Sequence, residues 1–74
     1  MTAEIVSVGN ELMDGFTVDT HAATIGRILA ECGIDCDHRQ TVRDDFDEYV
    51  EALTHALARA DVLITIGGLI CITP

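Results

Sequence analysis

The chain contains no lysine. Its four cations are all arginines, Arg27, Arg39, Arg43 and Arg59, set against thirteen acidic residues for a net charge of −9 at pH 7. Phosphate affinity is built from clustered Lys and Arg, so this balance excludes duplex DNA or RNA as an expected partner. It equally excludes docking on an anionic membrane surface. A lysine-free, acid-rich surface suits a protein that stays soluble in high salt, where self-repulsion is screened, and a halophilic source is expected. Long apolar runs are also missing. Nothing approaches the ~20 residues of a spanning helix, and Met1-Thr2-Ala3-Glu4 carries no basic leader region, so a cytoplasmic protein is expected. Cysteine is sparse and odd in number. Cys32, Cys36 and Cys71 argue against a disulfide framework, and no second close pair or nearby His completes a zinc site with Cys32 and Cys36. Core packing is the expected role of those two. No repeat, linker or low-complexity segment interrupts the 74 residues.

What is present is apolar: 49% hydrophobic residues and a mean hydropathy of +0.32. This excludes intrinsic disorder. A chain this short buries only about 60% of its unfolded surface, so the apolar content exceeds what a free-standing domain of this size needs. The expectation is that residues 1–74 form the N-terminal part of one larger domain.

Periodicity divides the chain into five elements. Glu4 to Gly9 predicts a strand, and Asn10 to about Val18 a loop hinged at Gly15. Asp19 and Thr20 are N-cap residues for a helix with Ala22, Ile25, Ile28, Leu29 and Cys32 on one face, stopped by Gly33. Ile34 to Val42 is rich in polar residues and predicts a partly covered strand towards a sheet edge. A second helix starts at Phe46 with a Phe46, Val50, Leu53, Leu57, Ala60 stripe, leaving Glu48, Glu51 and Arg59 to solvent. Asp61 to Gly68 reads as a central strand buried on both faces. The order β-α-β-α-β implies a parallel α/β sheet with right-handed crossovers. Three strands and two helices leave at least one sheet face poorly covered.

In open α/β sheets ligands bind beyond the carboxyl ends of the strands. The loops there are 9–18, 43–45 and 67–74. Gly67-Gly68 after a strand can cradle an anion, because glycine lets backbone N–H groups approach a phosphate; a tight turn is the alternative. The spacing matches neither G-x-G-x-x-G nor G-x-x-x-x-G-K-[ST]. Asp44 and Asp45, with Glu11 and Asp14, form the expected Mg²⁺ side of such a site, since Mg²⁺ sits between one or two carboxylates and substrate phosphates. In so acidic a chain, a helix cap or solvated turn is the competing role. His21 opens the first helix near the expected site, whereas His38 and His55 are expected at the surface. No nucleophile–base constellation is visible.

Four blocks together resemble a known family: Ile5-Val6-Ser7-Val8-Gly9-Asn10-Glu11-Leu12, Gly15 with Asp19-Thr20, Thr41-Val42-Arg43-Asp44-Asp45, and Val62-Leu63-Ile64-Thr65-Ile66-Gly67-Gly68-Leu69. They are similar to the molybdopterin-binding domain of the molybdenum-cofactor biosynthesis superfamily, in the branch of the competence/damage-inducible (CinA) proteins. The resemblance runs from about Ala3 to Leu69. It implies a three-layer α/β/α fold, present here in part, that binds molybdopterin or an ADP-ribose-like nucleotide diphosphate and forms homo-oligomers when complete. One branch adenylylates molybdopterin; the CinA-like branch is associated with Mg²⁺-dependent cleavage of ADP-ribose-type pyrophosphates, sometimes beside a nicotinamide-nucleotide deamidase domain.

Carried over by position, Gly9, Asn10, Glu11, Thr65, Gly67 and Gly68 would line the ligand pocket. Asp44 would be the catalytic carboxylate, and Asp44 with Asp45 would hold Mg²⁺. The sequence departs from the family pattern at His21, where the family has asparagine, and at Ile66, where it has threonine or serine. It departs again over Leu69 to Pro74, where a Gly-Pro-Thr segment and closing aspartates are expected. Leu69 in place of threonine leans away from adenylyl transfer. Catalysis by these residues alone is not expected; a non-catalytic oligomerising module and a gene remnant are the competing readings.

Overall fold

The computed structural model describes residues 1–15 and 18–67. Gly68, Cys71 and the Leu69–Pro74 segment singled out above lie outside them. The described chain runs β1 (Thr2–Val8), α1 (Asn10–Met13), α2 (Thr20–Glu31), β2 (Asp35–Val42), α3 (Phe46–Arg59) and β3 (Val62–Ile66). The sheet is parallel, in the order β2-β1-β3. With α2 on one face and α3 on the other, the layers are α/β/α.

β1 is the centre of this sheet, and its alternation divides the core in two. Ala3 and Ile5 pack with Ala22 and Leu29 of α2, and Val62, Ile64 and Ile66 of β3 lie against that cluster. Val6 and Val8 pack with Ala52 and Ala56 of α3, joined by Val42, Tyr49 and Leu63. Side chains alternate between sheet faces with a period of two, so one seven-residue strand serves both layers. Among the described residues the central position expected for the last strand belongs to β1. β3 pairs only with β1 among the described residues and is half-buried along most of its length. A continuous apolar run cannot distinguish a central strand from an edge strand with one well-covered face.

β2 is the edge strand its polar sequence predicts, and it carries a device that periodicity missed. The register with β1 slips between Ala3 and Glu4, where Ala3 faces Cys36 and Glu4 faces His38, leaving Asp37 as an extra residue. A one-residue bulge flips the side chains that follow it. Cys36 thus packs against the α2 cluster, while Val42 packs against the α3 cluster.

The helices begin and end as their capping residues dictate. Asp19 accepts the Ala22 N–H at 3.0 Å, and Asp45 accepts the Glu48 N–H at 3.0 Å. At the end of α2, Gly33 sits at φ +78. Its N–H donates to the Ala30 carbonyl at 3.0 Å, and the Ile34 N–H reaches the Leu29 carbonyl at 2.8 Å. This is the paired Schellman closure, with Ile34 and Leu29 in the same apolar cluster. Asp45→Ala removes one such cap and is expected to lower stability by about 1 kcal/mol in urea unfolding.

Two packing expectations need correction. Cys32 is exposed at the end of α2, not in the core, whereas Cys36 packs half-buried against the α2 cluster as expected; both are free thiols. The buried face of α3 is built on Tyr49, Ala52 and Ala56, not on the Phe46–Ala60 stripe. Small alanines let the helix approach β1 closely, which turns Phe46, Val50 and Leu57 sideways, Leu57 to 68% exposure. No helix among the described residues is long and apolar enough to cross a membrane.

Candidate functional site

Three loops leave the carboxyl ends of the strands, and the first two are stitched together. The Gly9 N–H donates to the Val42 carbonyl at 3.0 Å, extending the β1–β2 pairing by one residue. Asn10 Oδ1 accepts the Asp44 N–H at 3.0 Å. Arg43 reaches Asp14 at 2.9 Å, a half-exposed ion pair. Between these ties the segment expected to be a loop winds into the short helix α1, closed by the Asp14 N–H on the Asn10 carbonyl at 2.9 Å. Gly9, Asn10, Glu11 and Asp44 are thereby brought to one end of the sheet.

A cleft of about 260 Å³ opens between the ends of β1 and β3 and the start of α2. Val8, Leu12, Val18 and Ile66 supply apolar walls; Glu11, Asp19, Thr20, His21 and Gly67 supply the rest. Of the residues expected at the site, Glu11 and Gly67 line it, joined by His21. Gly9 and Asn10, the N-cap and first residue of α1, are not among the lining residues. Asp44 and Asp45 stand at the β2 end, outside the lining. Thr65 also stands apart: it pairs with Val6, on the α3 side of the sheet, while Ile66 turns to the cleft.

Gly67 is the most constrained residue of the site. It adopts φ +74, and a side-chain Cβ would sit 2.7 Å from the Val8 carbonyl oxygen. Both the conformation and the close approach require glycine. Gly9 differs: there a Cβ would meet only Glu11 Oε1 at 2.7 Å. That atom is the far end of a flexible side chain, which can rotate away.

The fit to Mg²⁺ is partial. No three His, Cys, Asp or Glu side chains among the described residues converge as a metal-binding group. Asp45 already spends one carboxylate oxygen on the Glu48 N–H. A protein-built metal cage is absent from the described residues, which leaves the mode in which one or two carboxylates share Mg²⁺ with ligand phosphates. Asp44, whose backbone alone is tied by Asn10, fits that mode.

Sequence reasoning overlooked a buried charge. Glu4, in the middle of β1, has no exposed surface. Its carboxylate receives Arg59 Nε at 2.7 Å and the second guanidinium nitrogen at 2.9 Å, and Gln40 donates to it as well. Gln40 also donates to the Ala52 carbonyl at 3.1 Å, so β1, β2 and α3 meet at one point. The Arg59 hydrogen bonds hold the Glu4 carboxyl below the usual carboxylate range, against the opposing effect of burial. Arg59, expected at the solvent face, instead reaches back to the sheet. A glutamate within a β-branched run, with an arginine closing the helix opposite, was the available signal.

A separate hollow of about 150 Å³ lies between β2 and α3, lined by Gln40, Val42, Glu48, Glu51, Ala52 and His55.

Residues 4–70 match the family model described as a probable molybdopterin binding domain. A CinA-like protein of Desulfosudis oleivorans is 46% identical over 93% of this chain, and one of Desulfovibrio desulfuricans is 49% identical over the same share. The chain spans 17% and 16% of the lengths of those relatives. The crystal structure of the protein CinA, of unknown function, from Thermoplasma acidophilum superposes with a TM-score of 0.86 at 37% identity. That match covers 88% of this chain and 40% of the CinA chain. Fold and sequence agree, and the chain belongs to the molybdopterin-binding domain family, among its CinA-like members.

Proposed function

We propose that this domain binds the diphosphate of a pterin or nucleotide ligand in the cleft between the ends of β1 and β3. One observation carries the reading: the residue that ends the cleft lining at β3 is Gly67, which adopts φ +74 and presents backbone without a side chain. Oriented backbone donors reach a phosphate only where no Cβ intervenes. The apolar walls from Leu12 and Val18 suit the flat ring of a pterin or base. In a longer protein of this family the same site would serve Mg²⁺-dependent pyrophosphate cleavage, with ADP-ribose as the model substrate; adenylyl transfer is the alternative chemistry. Bound Mg²⁺ would neutralise charge on the phosphates. Asp44 would hold it, and Asn10, bonded to the Asp44 backbone, would fix that loop.

Isothermal titration of the chain with ADP-ribose and with a pterin phosphate, each with Mg²⁺, tests the reading. Saturable binding of either is expected; no heat from either ligand would sink it.

A second reading, self-association, is favoured by the sideways apolar residues Phe46, Val50 and Leu57. A concentration-dependent sedimentation coefficient is its expected signature. The free thiols of Cys32 and Cys36 support a reducing, cytoplasmic setting. The acidic balance supports a salt-rich one. With −9 net charges on one small domain, raising KCl from about 0.1 M to 1 M shortens the screening length from about 10 Å to 3 Å. The urea midpoint is expected to rise over that range; a flat or falling midpoint would count against salt adaptation.

A further inference from the structure

Negative charge in the cleft stands beside the walls that suit a ring. Glu11 of α1 and Asp19 at the head of α2 line it together with Val8, Leu12, Val18 and Ile66. No lysine or arginine is among its lining residues. Arg43 is taken by Asp14, and Arg59 by Glu4. The two carboxylates differ in what they have left to offer. Asp19 Oδ1 accepts the Ala22 N–H at 3.0 Å and caps α2. Glu11 enters none of the ion pairs among the described residues, and α1 has no side-chain cap. Its carboxylate has a seat, however. A Cβ at Gly9 would lie 2.7 Å from Glu11 Oε1 and 3.2 Å from Oε2, so the whole carboxylate lies over Gly9. Gly9 is at φ 166, extended backbone that any residue adopts. Space for the carboxylate, and not backbone conformation, is what calls for glycine there. The turn that carries Glu11 is tied to β2 by the Gly9 N–H on the Val42 carbonyl and by Asn10 Oδ1 on the Asp44 N–H.

On the reading that this cleft holds a pterin or nucleotide diphosphate, we infer that Glu11 selects the ring: its carboxylate accepts paired N–H bonds from a ring that carries an amino group beside a ring N–H. An ionised carboxylate accepts such a pair side by side, as it does from a guanidinium fork. Pterins and guanine present that edge through the 2-amino group and the neighbouring ring N–H. Adenine places an acceptor nitrogen beside its amino group, and that lone pair would face the carboxylate. A site built to bond a ligand N–H discriminates strongly against the analogue that lacks it. The ring lies against Leu12 and Val18, and the diphosphate is left to the backbone at Gly67. An uncharged, donor-rich ring meets the acidic lining without repulsion, which a phosphate at the same place would not. Glu11 is thus the specificity-determining residue of the cleft, and an adenine diphosphate is its poorer ligand.

The test is isothermal titration of the chain with GDP, IDP and ADP, each with Mg²⁺; IDP is GDP without the 2-amino group. GDP is expected to bind roughly tenfold more tightly than IDP, and ADP no better than IDP. Pterin and lumazine differ by the same amino group and carry no phosphate, so they form a second arm. The arm with the larger ratio identifies the ring. In Glu11→Gln and Glu11→Ala, with helical content verified by circular dichroism, both preferences are expected to vanish. Gly9→Ala pushes the carboxylate from its seat and is expected to lose the preference too, while unfolding near the wild-type urea midpoint. Equal binding of GDP, IDP and ADP by the wild type, or a preference that survives in the Glu11 variants, overturns the role of Glu11 and leaves the diphosphate reading standing. If no ligand of either arm binds, the cleft reading fails and the role of Glu11 fails with it.

Discussion

Gly67→Val is expected to destabilise the domain by about 3 kcal/mol. A left-handed backbone costs an L-residue about 1–2 kcal/mol. Forcing a side chain into filled space adds about 1–3 kcal/mol. Here the obstacle is the Val8 carbonyl oxygen, 2.7 Å from the new Cβ. Backbone cannot rotate away as a side chain does, so β3 must separate from β1 or Gly67 must change conformation. Against a total stability on the order of 5 kcal/mol for a small domain, the loss is most of the margin. Urea unfolding read by circular dichroism measures it. A midpoint indistinguishable from wild type would mean that the close approach of Gly67 to Val8 is not a property of the molecule. Gly9→Ala is the contrast, because only the Glu11 carboxylate stands in its way; a small effect, under about 1 kcal/mol, is expected there.

Glu4→Ala is expected to cost about 2 kcal/mol. Removing one member of a buried ion pair commonly costs about 3–5 kcal/mol. The lower figure applies because Arg59, at 41% side-chain exposure, can turn to water once its partner is gone. Gln40 loses one acceptor but keeps the Ala52 carbonyl. The pH dependence has a definite sign. The folded-state carboxyl of Glu4 is held below its ordinary value, chiefly by the Arg59 hydrogen bonds. The folded state therefore binds this proton less readily than the unfolded chain. The stabilisation is complete above the unfolded value and disappears as pH falls through the depressed one. Wild-type stability should drop more steeply than that of Glu4→Gln in the acid limb. Parallel acid limbs for the two proteins would rule out this linkage.

The parts of the fold legible in the sequence are those fixed by local chemistry. Asp19, Asp45 and Gly33 act within a turn of themselves, so both long helices start and stop where their caps require. The alternation of strand and helix patterns gave the parallel sheet, and the polar residues of β2 gave its edge position. What remained hidden depends on contacts distant in sequence. An arginine on a helix reads as solvent-facing unless the glutamate it meets 55 residues away is known. The Asp37 bulge leaves no mark on composition, because an extra residue in a polar strand looks like any other. The α3 stripe misled for a related reason: alanine is a weak hydrophobic signal, yet Ala52 and Ala56 permit the close approach to β1. At the site, the glycine after β3 and the first-loop glutamate were legible as positions, and His21 as a neighbour. The exclusion of Asp44 and Asp45 from the cleft lining was not, because they follow β2 while the cleft opens at β1 and β3; Thr65 falls on the α3 face by simple strand alternation.

β1 is synthesised before every element it packs against, and it is buried most. Its pairing to β2 begins at Asp35, and its pairing to β3 at Val62. The Thr2 N–H finds its acceptor on Asp61, 59 residues later. During vectorial synthesis, at about 5–20 residues per second, β1 therefore spends several seconds as an apolar segment with an unpaired carboxylate at its centre. Such a segment can associate with other nascent chains, but the Glu4 charge makes stacking of identical copies unfavourable. The same glutamate that locks three elements together in the finished domain acts as a guard on the strand while it waits for them.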